Sequence, residues 1–150
     1  MKKQPGVETN CARFLTVLSV SPLEEDHSSL QAIVGHTGWI VFKARDLVSA
    51  MALLRRHRIG VVLCERDCTT ATWIDILEQL KHLPHVPSFI VTSRLADEHL
   101  WVEALDLGAW DVLAKPFDRN EVIHSVNSGW QHWHNLTQMP ATSLKVMRAS

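Results

Sequence analysis

The run V-V-L-C-E-R-D, Val61 to Asp67, ends an apolar stretch in two acids with an arginine between them. Lys115 stands 50 residues after Glu65 and 23 after Thr92. A carboxylate, a hydroxyl and an amine brought together can pair as ions or hold an anion. Ser19 with Lys115 also supplies the residue types of a nucleophile and a base, but no histidine or oxyanion glycine accompanies them, so catalysis is not expected. Nine histidines raise the question of metal. His132 and His134 are two apart, which on a helix turns them about 200° from each other. His82 and His85 flank Pro84 in a loop, and no histidine pair shows the i, i+4 spacing with a carboxylate that a helical zinc site needs. The cysteines Cys11, Cys64 and Cys68 form no C-x-x-C pair, and Cys64, inside an apolar run, reads as a small core residue.

These groups matter only if elements of structure carry them to one place, and the apolar periods describe such elements. F-L-T-V-L-S-V (Phe14 to Val20) suits a strand covered on both faces. S-P-L-E follows as a helix start, with Ser21 as N-cap, Pro22 in the first turn and Glu24 at the capping-box position. That helix carries Leu30, Ile33 and Val34 and stops near Gly35. The remaining strands are Trp39 to Ala44, Val61 to Glu65, Ser88 to Ser93, and one within W-D-V-L-A-K-P-F. Between them lie a helix with Leu47, Ala50, Met51 and Leu54 on one face, a helix marked by Trp73, Ile76, Leu77 and Leu80, and a helix over about Ala96 to Leu107 that Gly108 ends. A fifth helix runs from Asn120 to about Leu136. Five β-α units in succession predict an α/β fold, a parallel sheet doubly wound with helices on both faces. Ligands on such sheets bind beyond the carboxyl ends of the strands. No glycine-rich phosphate loop follows the first strand, which argues against dinucleotides and nucleoside triphosphates.

The totals agree with one soluble domain. Apolar residues make up 46% and charged residues 21% of 150. A formal net charge of −1 gives no field to recruit nucleic acid or an acidic membrane surface. Arg55 to Arg58 form the one basic cluster, at a helix end where cations favour the dipole. With no leader-like or membrane-length apolar segment, a cytoplasmic location is expected. Residues 1–12 and 137–150 show no period and read as flexible segments around a domain over 13–136.

The strand ends carry a resemblance. G-A-W-D-V-L-A-K-P-F is similar to the signature of response-regulator receiver domains around their lysine, followed by the cis-prone Pro116, and V-T-S places Thr92 where receivers carry a hydroxyl. The resemblance covers about residues 13–136. It implies a flavodoxin-like receiver fold with five strands in the order 2-1-3-4-5 and five helices, and a role in two-component signalling or a phosphorelay. Two positions depart from the family. Where receivers close the first strand with an acidic pair that holds Mg²⁺, this chain has Ser19 and Val20, and the nearby Glu24, Glu25 and Asp26 read as acids at a helix start. Where receivers carry the phosphoacceptor aspartate, it has Glu65, one methylene longer. Asp67, two residues on, reads as a surface loop acid. Glu65 is expected to pair with Lys115, with Thr92 able to donate to it. Val112 stands where receivers keep a mobile aromatic, with Trp110 two residues earlier.

The expectation is a stand-alone pseudo-receiver: no enzyme, Mg²⁺ binding lost, output through a protein partner. A histidine kinase, another regulator or effector, or a homodimer through the fourth helix, fifth strand and fifth helix would be that partner. Interface candidates are Trp101, Trp110, Val112 and Trp130, although the spacing of Trp130 and Trp133 with Val122 and Val126 also suits core packing. Two alternatives stand beside it: a working receiver phosphorylated on Glu65 or Asp67, and a metal-independent anion or small-ligand binder using Ser19, Ser21, Thr92 and Lys115.

Overall fold

The computed structural model describes residues 14–68 and 71–138. The segments before 14 and after 138 therefore lie outside the description, and with them Cys11. Five strands form one parallel sheet in the order β2-β1-β3-β4-β5: β1 (Thr16–Val20), β2 (Ile40–Ala44), β3 (Val61–Glu65), β4 (Ser88–Ser93) and β5 (Asp111–Ala114). The crossovers are α1 (Glu24–Val34), α2 (Leu47–Arg56), α3 (Trp73–Leu80) and α4 (Glu98–Asp106), and α5 (Arg119–Gln138) follows β5. No described helix is long and apolar enough to cross a membrane.

β3 and β4 are buried at every position, as the unbroken apolar runs V-V-L-C-E and S-F-I-V-T-S require of central strands. Side chains alternate across the sheet. Leu18, Val20, Val62, Cys64, Phe89 and Val91 face one way, packed against α2, α3 and α4 through Met51, Trp73, Ile76, Leu77, Leu80 and Leu100. Val17, Val61, Leu63, Ile90 and Leu113 face the other way, packed against Leu30 and Val34 of α1 and Val122, Val126, Trp130 and Trp133 of α5. Continuing each strand by the same alternation turns Ser19, Glu65, Thr92 and Lys115 toward the α1/α5 side. Val20 is turned away from them.

Local chemistry sets the helix starts. Asp46 accepts from the Ser49 amide and Thr72 from the Asp75 amide, each completing a capping box. Asp97 caps α4 by accepting from the Leu100 amide, and Gly108, at φ +104°, takes the left-handed conformation that ends it. The expected cap of α1 is different. Leu23 occupies the N-cap with no side-chain cap bond, and Glu24 pairs with Lys43 at the surface, 3.5 Å away. Ser21 instead accepts from the Leu23 amide at 3.0 Å and donates to Asp26 at 2.6 Å. The serine is close to the helix but committed to a buried acid, so it organises the loop and not the helix terminus.

Gly60 shows how tightly the lower end of the sheet is filled. A Cβ there would stand 2.6 Å from Trp133 Cε3 and 2.7 Å from Trp130 Cδ1. Both indoles are buried in the α5 face. Gly60→Ala is expected to lower unfolding free energy by about 1–3 kcal/mol, the usual cost of overpacking. Urea unfolding should show an earlier midpoint with an unchanged slope.

Candidate functional site

At the carboxyl ends of the strands, Lys115 is the centre of a buried charge cluster. Its ammonium donates to Glu65 Oε1 and, at 2.8 Å, to Asp26 Oδ2. The three side chains are almost fully buried, with 6% of Lys115, 5% of Glu65 and 8% of Asp26 exposed. Each carboxylate has a second partner. Glu65 Oε2 accepts from the Asp67 amide at 2.7 Å, and the Ser21 hydroxyl donates to Asp26 Oδ2 at 2.6 Å. Such satisfaction is what makes buried charge tolerable. Burial works against the Lys115 ammonium, but the hydrogen bonds to Asp26 and Glu65 outweigh it and hold its pKa above the ordinary 10.5.

Beneath this cluster is a second buried group. His27 Nε2 lies 3.0 Å from the Ser21 carbonyl, which can only accept, so Nε2 carries the hydrogen. In the neutral ring Nδ1 is then the acceptor, and Ser19 Oγ donates to it at 2.8 Å. A histidine does stand beside Ser19, contrary to the sequence reading. Both residues are buried and both ring nitrogens are engaged, so the pair braces β1 against α1.

The residues singled out from sequence separate as follows. Ser19, Glu65, Thr92 and Lys115 come to one end of the sheet. Thr92 lies beside Glu65 in the β3–β4 register and is buried, but its hydroxyl is not bonded to Glu65, whose oxygens are held by Lys115 and the Asp67 amide. Val20 is core on the opposite face. Asp67 is exposed beside Arg66, at 4.0 Å. The Lys115–Pro116 peptide is cis. Trp101 and Trp110 keep 48% and 36% of their surface exposed, and Val112 is partly buried against the α2–α4 face. Trp130 does not belong with them: it is 8% exposed and packs in the α1/α5 core. His132 stacks on Trp110 and His134 on Trp130, so the two histidines diverge. Among the described residues no three His, Cys, Asp or Glu side chains gather as a metal-ligand group.

Asp26 and His27 are the site residues that the sequence reading missed. Asp26 lies four residues before Leu30 and eight before Val34, on the same buried stripe of α1. An acid on the apolar stripe was the available signal, obscured because three consecutive acids at a helix start have an adequate explanation in the dipole.

The model of the response regulator receiver domain matches residues 24–127. The transcriptional regulatory protein ZraR of Escherichia coli strain K12 is 30% identical over 116 residues, 76% of this chain and 26% of that protein. The transcriptional regulatory protein CpxR of Klebsiella pneumoniae is 28% identical over 135 residues, 87% of this chain and 57% of that protein. This chain therefore spans less than two thirds of either relative. Among solved structures, the signal receiver domain of an HD domain-containing protein from Pseudomonas fluorescens superposes with a TM-score of 0.74 at 22% identity, covering 82% of this chain and 99% of that one. The beryllofluoride-activated NtrC4 receiver domain dimer gives 0.72 at 21% identity, with 79% and 98% covered. A match over well more than half of the chain, on a sheet of the receiver order, makes this protein a member of the response regulator receiver family of two-component signalling.

Proposed function

We propose that this receiver is a protein-interaction module whose acceptor site is held by fixed charges in place of Mg²⁺-dependent aspartyl phosphorylation. The observation that carries this reading is the Lys115 ammonium between Asp26 and Glu65. Mg²⁺ needs hard oxygen ligands in a near-octahedral array. Val20 offers none and faces the other core, and the Ser19 hydroxyl is engaged by His27. The two buried carboxylates are already held by Lys115, so a divalent ion entering there must displace the ammonium from both. The donor set does not fit the metal. Glu65 also places its carboxylate a methylene further out than an aspartate would, and phosphoryl transfer depends on alignment and charge neutralisation. The two acceptor alternatives fare no better: Glu65 is buried and paired, and Asp67 stands in solvent. Anion binding is weakened by the same geometry, because the one buried cation has two carboxylate partners.

Output then runs through contact. The face made by α4, β5 and α5 exposes Trp101, Val102 and Trp110, and exposed indoles are common interface anchors. The partner in this reading is a protein: a histidine kinase, another regulator, or a second copy. The likeness in fold to a receiver domain solved as a dimer supports the last of these.

Calorimetric titration with Mg²⁺, with and without beryllofluoride, should give no saturable binding, and acetyl phosphate should add no mass to the intact protein. Saturable Mg²⁺ binding together with a phosphorylated mass on Glu65 or Asp67 would falsify the reading. Lys115→Met strands two buried carboxylates and is expected to cost about 3–5 kcal/mol in chemical unfolding, with Glu65→Gln costing less because Asp26 still pairs. The pH dependence of that difference has a definite sign. A pKa raised on folding gives stabilisation that is fully present below the unfolded value and is lost as pH rises through the folded one. The gap between the native protein and Lys115→Met should hold from neutral pH upward and close only above the ordinary lysine value of 10.5. Sedimentation velocity over a concentration series should show self-association that Trp101→Ala weakens. A native chain that stays monomeric throughout would exclude the second copy as partner.

A further inference from the structure

Cys64 and Cys68 sit beside the charge cluster but take no part in it. Four residues of extended strand span about 13 Å, yet the turn after β3 folds back so that the two Sγ atoms are 4.0 Å apart. Both thiols converge on the Glu65 carbonyl oxygen, at 3.4 Å from Cys64 and 3.3 Å from Cys68. Their environments differ. Cys64 is fully buried against the α2–α4 core, whereas Cys68, beyond the strand, is only partly covered. A disulfide needs an S–S separation of about 2.05 Å, so the gap to close is roughly 2 Å, within reach of a rotamer change at Cys68. We propose that Cys64 and Cys68 are a dithiol modification site that closes to an intramolecular disulfide by exchange with a low-molecular-weight disulfide.

The exchange balances in two steps. The Cys68 thiolate attacks one sulfur of the small disulfide, forms a mixed disulfide and releases one thiolate, which takes up the proton Cys68 gave. Cys64 then attacks the Cys68 sulfur, and the second small thiol leaves with the proton from Cys64. Two cysteines are oxidised and one small disulfide is reduced to two thiols. The asymmetry of the pair suits this order. The hydrogen bond with Cys64, with Lys115 adding, holds Cys68 below the usual thiol range against burial and the Glu65 and Asp67 charges. The same hydrogen bond and burial push Cys64 well up. The partly covered thiol attacks and the buried one resolves. The Asp67 amide that holds Glu65 Oε2 lies inside the loop this bond closes, so thiol state and charge cluster share one backbone segment. The site does not depend on whether the receiver is phosphorylated.

The test uses the full chain carrying Cys11→Ser, treated with oxidised glutathione, alkylated and digested with trypsin. Cleavage after Arg66 separates the two cysteines, so their disulfide joins peptides 59–66 and 67–81. The expected result is that joined pair from monomeric protein, its complete loss in Cys68→Ser, and a stable glutathione adduct on Cys68 in Cys64→Ser. Both thiols remaining alkylatable, a terminal glutathione adduct on Cys68 with Cys64 intact, or joined peptides confined to covalent dimers would each overturn the proposal. Should Cys64→Ser fail to fold, the Cys68→Ser comparison alone decides.

Discussion

An ammonium held between two carboxylates, out of water, is the constraint around which the upper end of this molecule is arranged. Removing three formal charges from solvent costs several kcal/mol per ion, and Coulomb attraction offsets this only when geometry is good and the remaining lone pairs are satisfied. That requirement explains features that would otherwise look unrelated. Ser21 is drawn off the helix terminus to donate to Asp26. The loop after β3 turns its Asp67 amide back onto Glu65. α1 carries an acid on the stripe that elsewhere holds Leu30 and Val34. Each placement supplies one hydrogen bond that the buried charges need, and each would be hard to justify on its own.

The cluster also gives physical content to the proposed way of working. A receiver that cycles must admit a metal and a phosphoryl group to its strand ends and then release them. Here the cation is covalently part of the chain and its partners are already in place. In the proposed reading Glu65 supplies a fixed negative charge, and its orientation is maintained by Lys115 and a backbone amide. The absence of a Thr92–Glu65 bond among the described residues fits a site whose acceptor oxygens already have partners.

Parity in the sheet links these observations. Because strand side chains alternate, neighbours in sequence belong to different cores. Glu65 faces α1 and α5, whereas Cys64 faces α2, α3 and α4. Ser19 meets His27, whereas Val20 is sealed in the opposite core. One residue of register therefore separates the charge cluster from the thiol pair, and the loop that follows the strand reaches both.

The five strands, their parallel direction and the helix faces could be read from the chain because apolar period and length constrain them directly, whereas the order 2-1-3-4-5 came with the receiver resemblance. Trp73, Ile76, Leu77 and Leu80 suit one face of a helix, and Ser88 to Ser93 a central strand. Glu65, Thr92 and Lys115 were legible for the same reason, since each sits at the end of a strand whose limits the pattern marks. The partners of those residues were not. Asp26 meets Lys115 across 89 residues of chain, and His27 reaches Ser19 from a separate element. Asp26 looked like a helix-dipole acid, Ser21 like an N-cap and Trp130 like an interface anchor because local rules suffice for each of them. Local sequence determines which element forms and which way a side chain points from it. Which charge that side chain then meets depends on how separate elements pack, and only the tertiary structure decides that.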